Sequence, residues 1–260
     1  MKKNNVIFEM NKTTQTYLLI ADSHLEDGAK LQEFQTLLEK ISCLPLSCGV
    51  VFLGDIYELW VALDRYENER HRTFLTWCSG EIKAGREIIF TEGNHEFYLD
   101  PCRRKFFTEV TRRDIRRGNV VFTHGDTLNL RDYLYLLMRM GIRNFFTRFL
   151  LYLVGPSFGP NLTQRIRLRL KTANMVHKKH FPVDDVKMYL KKLSVRGVRT
   201  VFAGHFHAEN ELNFCGVQMY VLPAFINTGE IGVYTVDPDK YELLPWETAL
   251  EKLNNTGEKR

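Results

Sequence analysis

Five short apolar runs, each followed within four residues by metal-seeking side chains, constrain this chain more than any other feature. Tyr17–Ile20 leads into Asp22-Ser23-His24, Val50–Leu53 into Gly54-Asp55, and Ile88–Phe90 into Gly93-Asn94-His95-Glu96. Val120–Phe122 leads into His124-Gly125-Asp126, and Val201–Ala203 into Gly204-His205-Phe206-His207. Runs this short, rich in β-branched and aromatic residues, read as buried strands. An open α/β sheet binds its ligands beyond the carboxyl ends of its strands. Five such ends would gather aspartates, histidines and an asparagine at one edge. Five of the eight histidines lie in these stretches.

The intervening sequence supports that layout. Through residue 126 strands alternate with helices, which predicts a parallel sheet covered on both faces. Leu31, Phe34, Leu37, Leu38 and Ile41 predict a helix over 29–41; a second is predicted over 64–78 and a short one after Pro101. From 131 to 197 the rhythm stops. Helices are predicted over 131–153, 161–180 and 184–195, with Gly155-Pro156 and Gly159-Pro160 breaking the first from the second. Strands return at 198–203, 217–222 and 231–236. The expected division is a core of residues 1–130 and 198–247, a helical insertion of 131–197 over the sheet edge, and a frayed polar tail of 248–260.

Composition excludes several classes. A chain of 260 residues with 44% hydrophobic content suits one large globular domain, not a disordered segment. Cys43, Cys48, Cys78, Cys102 and Cys215 are odd in number and form no Cys-x-x-Cys pair. They predict neither a disulfide framework nor a thiolate zinc site, and they fit a reducing compartment. Polar residues between Asn4 and Lys12 break any signal-peptide core, and no apolar stretch reaches the roughly 18 residues of a membrane span. The net charge of +5 is uneven. Between Arg131 and His180 ten Lys and Arg face only Asp132, so that segment carries +9 and the remainder −4.

Hydrolysing a phosphate ester near neutral pH requires an activated water and neutralisation of the phosphoryl oxygens. Two divalent ions about 3.5–4 Å apart meet both needs. Carboxylates, imidazoles and an amide oxygen suit Mn, Fe or Zn, whereas thiolates would select softer ions. Each motif alone is weak, since Asp-x-His and Gly-Asp are common turns. All five together, each after an apolar run, indicate a two-metal site.

The motif series Asp-x-His, Gly-Asp, Gly-Asn-His-Glu, His and Gly-His-x-His resembles that of the calcineurin-like metallophosphoesterases over roughly residues 17 to 227. The resemblance implies two packed mixed sheets flanked by helices, with two metal ions, manganese in that family's usage, at the strand ends. It implies that Asp22, His24 and His207 hold one ion, that Asp55 bridges, and that Asn94, His124 and His205 hold the other. It gives His95 the leaving group to stabilise or protonate, with Glu96 as its orienting acid. Within the family, Gly54-Asp55-Ile56-Tyr57-Glu58-Leu59-Trp60, Gly93–Phe97 and His124–Leu128 resemble the UDP-2,3-diacylglucosamine diphosphatases of lipid A synthesis.

That closer resemblance implies release of UMP and 2,3-diacylglucosamine 1-phosphate. It further implies a helical lid for the acyl chains and a cytoplasmic protein peripheral to the inner membrane. Asp132, Tyr135, Arg139, Arg165 and Arg169 are the expected substrate-binding residues. The mixture of aromatic, aliphatic and arginine residues in the insertion suits an anionic membrane surface. The chain departs from the lipid-specific pattern at Asn129-Leu130-Arg131-Asp132, which lacks paired aspartates, and at His95, which replaces an arginine. The alternatives are a phosphatase or phosphodiesterase acting on a soluble nucleotide or phosphoprotein, a nuclease, and a non-catalytic binding module. The acidic body and clustered aromatics disfavour nucleic acid, and a full set of competent ligands disfavours loss of catalysis.

Overall fold

The computed structural model describes residues 15–153 and 181–257. The first half runs β1 (Thr16–Ile20), α1 (Ala29–Ser42), β2 (Cys48–Phe52), β3 (Trp60–Val61), α2 (Glu69–Ala84), β4 (Ile88–Thr91), β5 (Glu96–Phe97) and α3 (Leu99–Arg103). It continues through β6 (Glu109–Thr111), β7 (Ile115–Arg117), β8 (Val120–Thr123), α4 (Tyr133–Ile142) and α5 (Phe145–Leu153). The remainder is α6 (Val183–Ser194), β9 (Thr200–Ala203), β10 (Asn210–Phe214), β11 (Val217–Val221), α7 (Phe225–Thr228), β12 (Glu230–Thr235), β13 (Lys240–Pro245) and α8 (Trp246–Gly257).

The strands form two large mixed sheets, ordered β13-β12-β1-β2-β4-β6 and β10-β11-β9-β8-β7, and a small ribbon of β3 and β5. Alternate residues of each central strand serve different layers. Leu18, Ile20, Val50, Phe52, Ile88 and Phe90 pack outward with α1, α2 and α8. Tyr17, Leu19, Val51 and Ile89 pack with Ile115, Val120, Phe122 and Phe202 in the core between the sheets. Val121, Val201, Ala203, Met219 and Val221 meet α6 on the far side. Both faces of the central strands are therefore dry, and their sequences run apolar without alternation.

Several differences from the sequence pattern have local causes. The two mixed sheets implied by the family resemblance are present, and the parallel sheet read from the strand-helix alternation is mixed because antiparallel β12 and β7 join the parallel runs. Helix α2 starts five residues later than predicted, where Asn68 and His71 form a reciprocal cap. The helix predicted over 131–153 is two helices. Asn144 accepts the Thr147 N–H at 2.8 Å and so caps α5, while Gly141 weakens the end of α4.

The third predicted helix, α6, belongs to the body. Val186, Leu190 and Leu193 are buried against the second sheet, so this part of the expected insertion covers a sheet face instead of the edge. The frayed tail is likewise corrected. Residues 246–257 form α8, with Trp246, Ala249 and Leu250 buried beside α1. The helix predicted over 161–180 lies outside the described residues.

Candidate metal centre

Parallel pairing sets the site. β1, β2 and β4 lie side by side and parallel in one sheet, and β8 and β9 are parallel neighbours in the other. Their carboxyl ends consequently share one edge. Adjacent turns are tied by backbone bonds: Asp22 N donates to Gly54 O at 3.1 Å, His24 N to Asp55 O at 2.9 Å, and Gly204 N to His124 O at 3.0 Å. Five of the polar residues at these ends sit in the left-handed region, with φ of 51° at Asp22, 42° at His24, 53° at Asp55, 73° at His205 and 57° at His207. Such backbone persists where surrounding structure forces it, typically at functional sites.

Three groups of side chains result among the described residues, one of them His24, Glu58 and His95. Asp22, His24 and His207 offer ligand atoms to one point, and Asp55, His124 and His205 to another. His24 Nε2 lies 3.0 Å from His207 Nε2, and His207 Nε2 lies 3.2 Å from Asp22 Oδ1. Asn94 Oδ1 lies 3.2 Å from His124 Nε2 and 3.0 Å from His205 Nδ1. Asp55 Oδ2 stands between the groups, 3.5 Å from His124 Nε2 and 3.8 Å from His24 Nε2. Backbone donors fix both carboxylates through their other oxygens: His205 N to Asp22 Oδ2 at 2.7 Å, and His95 N to Asp55 Oδ1 at 2.8 Å.

Hydrogen bonding at the rear of the rings indicates what the site accepts. His124 Nδ1 lies 2.7 Å from the Leu53 carbonyl, which can only accept, so the proton is on Nδ1. In the neutral ring Nε2 then presents a lone pair to the Asn94 and Asp55 oxygens, acceptor facing acceptor. A cation between them resolves that arrangement, and the nitrogen and oxygen donor set fits divalent ions. Burial opposes ionisation of Asp22, but hydrogen bonding and attraction from His207 outweigh it and hold the carboxyl below its usual range.

His95 is fully buried, and its Nδ1 lies 2.5 Å from the Glu58 carbonyl. That leaves Nε2 turned toward the site, 3.9 Å from Asp55 Oδ2. Burial lowers its pKa, against the pull of Asp55. The orienting partner expected from sequence was Glu96, and this is corrected. The Glu96 carboxylate instead accepts the N–H groups of Asp55 at 2.8 Å, Ile56 at 2.7 Å and Gly93 at 2.9 Å, locking the second and third turns together. Glu58, passed over as a functional residue, positions His95 through its backbone, and its Oε2 lies 3.3 Å from His24 Nδ1. Carboxylates behind ligating histidines fix ring orientation and basicity.

The sequence model of calcineurin-like phosphoesterases matches residues 16–209, a span containing all five turns. The chain belongs to the calcineurin-like phosphoesterase family. It is 28% identical over 241 residues to the UDP-2,3-diacylglucosamine hydrolase of Salmonella arizonae, covering 87% of this chain and 97% of that one. The enzyme of the same name from Pseudomonas paraeruginosa is 25% identical over 214 residues, covering 76% and 85%. Among solved structures, an archaeal phosphodiesterase shares 12% identity with a TM-score of 0.44, covering 88% of this chain and 98% of that one.

In this calcineurin-like phosphoesterase, α4 is fastened to the fourth turn. Arg139 Nε donates to Asp126 Oδ2 at 2.6 Å, and the Tyr135 hydroxyl donates to the same oxygen. Burial opposes ionisation of Asp126, yet Arg139 and neighbouring cations bring its pKa down to about 2. Asp132 caps α4, accepting the Tyr135 N–H at 3.0 Å. The structure therefore engages these three expected substrate-binding residues in holding the helix. Arg165 and Arg169 lie outside the described residues. Sequence reading also missed Arg143, which follows α4. Its Nη2 donates to the carbonyls of Gly93 and Glu96, on either side of Asn94-His95. Nothing in the sequence marked it, since Arg143 falls inside the helix predicted over 131–153.

Proposed function

We propose that the chain hydrolyses UDP-2,3-diacylglucosamine, adding water across one P–O bond of the diphosphate to give UMP and 2,3-diacylglucosamine 1-phosphate. The observation supporting this most is a cavity of about 510 Å³ whose apolar wall includes Ala62, Leu63, Tyr66, Phe145, Phe149 and Tyr152. Ala62 and Leu63 of its wall directly follow β3 in the chain, whose Trp60 N donates to the His95 carbonyl at 2.9 Å. A soluble ester has no use for such a wall, whereas acyl chains do. The names of the relatives point the same way.

Two divalent ions, for which we propose manganese, would be held by Asp22, His24 and His207 and by Asn94, His124 and His205, with Asp55 shared; they supply an activated water and neutralise phosphoryl oxygens. His95, with Nε2 turned inward, holds or delivers the proton at the leaving oxygen. Glu58 keeps that ring in place. Arg165 and Arg169 are our candidates for the diphosphate, beside Asp132, Tyr135 and Arg139, which hold α4. Leu134 and Phe146 are 82% and 80% exposed on α4 and α5, and Arg148 lies over the neighbouring Phe145 ring. We assign this apolar, basic surface to the head groups of an anionic membrane. No helix among the described residues is long and apolar enough to cross one.

Incubation of purified protein with Mn²⁺ and UDP-2,3-diacylglucosamine should release UMP, read by chromatography. Turnover of small soluble phosphodiesters without any UMP would reassign the substrate. His95→Gln should lower kcat by about 10²–10⁴-fold, the range of a lost acid–base group. Its metal content should equal that of the parent. A fall in metal content would make His95 a ligand instead.

A further inference from the structure

A second cavity, of about 250 Å³, is lined in part by Glu92 and Tyr98, which flank the Gly93–Phe97 turn in the chain. Arg112, Arg143 and Arg148 line it, with Tyr98, Pro101 and Phe145 as its apolar walls. Arg143 is only 7% exposed. Its Nη2 is taken by the two carbonyls, and its guanidinium lies 5.3 Å from the Phe97 ring centre. Nε and Nη1 are buried with no hydrogen-bond partner among the described residues. A guanidinium cannot discard its charge, and buried charged donors left open are costly. Unmatched groups of this kind call for a ligand or an explanation.

Two acids share the cavity wall, Glu92 and Asp100. Glu92 Oε1 accepts the Asp100 N–H at 2.7 Å, and Asp100 Oδ1 lies 3.9 Å from Arg104 outside the cavity. Burial raises the Glu92 pKa, against the pull of Arg143, which weakens it as a counter-charge. Three arginines against these two acids leave a positive balance. Residues 154–180, which follow α5 in the chain, contain no Asp or Glu, so no carboxylate of theirs can balance it.

We infer that this cavity is an oxyanion site, binding a phosphate group through Arg143, Arg148 and Arg112. It shares no residue with the metal centre and does not depend on which ester is cleaved. Because Arg143 also grips Gly93 and Glu96, an anion seated there steadies the turn that carries Asn94 and His95.

The test uses full-length protein stripped of metal with chelator, which removes phosphate binding at the metal centre. Calorimetric titration with inorganic phosphate and, separately, with UMP should show saturable binding of at least one. Whichever binds more tightly identifies free phosphate or a nucleotide as the source. Arg148→Gln and Arg112→Gln, each checked for an unchanged melting temperature, should weaken binding about tenfold, the value of one charge-assisted bond. Crystals soaked in selenate should show an anomalous peak beside Arg143. Absence of saturable binding, unchanged affinity in both variants, or a selenate peak confined to the Asp22–Asp55 cluster would overturn the assignment.

Discussion

Asp55→Asn should give a folded protein that binds fewer than two metal ions per chain and loses kcat/KM by about 10⁴-fold or more, equivalent to about 5 kcal/mol of lost transition-state stabilisation. Asp55 is fully buried, and its Oδ2 lies within 3.9 Å of ring nitrogens from His24, His95 and His124. Asparagine keeps the shape and can retain the Oδ1 bond to the His95 N–H, but it removes the charge and offers a donor where a cation belongs. In metal-free protein the same change relieves repulsion, since the Asp55 charge works against ionisation of both Glu96 and Asp22. The metal-free variant should therefore melt no lower than the metal-free parent. Metal analysis, thermal melts and steady-state kinetics check all three statements. A variant retaining two ions and near-parental turnover would remove Asp55 from its bridging position.

Gly93→Ala should be the most damaging change of a single methyl group. A Cβ at Gly93 would stand 2.2 Å from Asp55 Oδ1, 2.6 Å from Asp55 N and 2.8 Å from Asp55 Cγ. Nothing flexible can yield there. Asp55 is held by the Glu96 carboxylate and by His95, and Gly93 N is itself bonded to Glu96. Forced repacking of this kind costs about 1–3 kcal/mol of stability. Displacing a catalytic group by about 1 Å costs roughly 10²-fold in rate. Gly80→Ala is the matched control. Gly80 lies inside α2 with open space around its Cβ position, and alanine there should stabilise by up to about 1 kcal/mol. Urea titration and kinetics on both variants provide the comparison. Equal activity in the two would mean that the third turn adapts freely.

What sequence alone conveyed here follows from how local each signal was. Buried central strands advertise themselves because both of their faces are dry, so Tyr17–Ile20 or Val50–Leu53 need no partner to be recognised. Residues at the ends of those strands inherit the same legibility, and this is why the Asp22, Asp55, His124 and His205 groups could be placed together. Edge elements have no such mark. Lys240–Pro245 and Asn210–Phe214 alternate weakly and pair only because a neighbour is present. Helix α8 looked like a tail, since few residues of its polar sequence, Trp246, Ala249, Leu250 and the partly buried Leu253 among them, reach the core. Glu58 and Glu96 were confused for a related reason. Glu96 adjoins His95 in the chain and Glu58 lies 37 residues before it, and only the fold reveals that Glu58 offers its carbonyl to the ring while Glu96 gathers backbone donors.

The five left-handed residues at the strand ends bear on how this protein can change. Each holds a side chain in a conformation that glycine adopts without penalty and that costs other residues of order 1 kcal/mol or more. Heat tolerance and turnover consequently pull these positions in opposite directions. Laboratory evolution for thermal endurance alone would drift toward glycine or asparagine at Asp22, His24, Asp55, His205 and His207, hardening the scaffold while emptying it of chemistry.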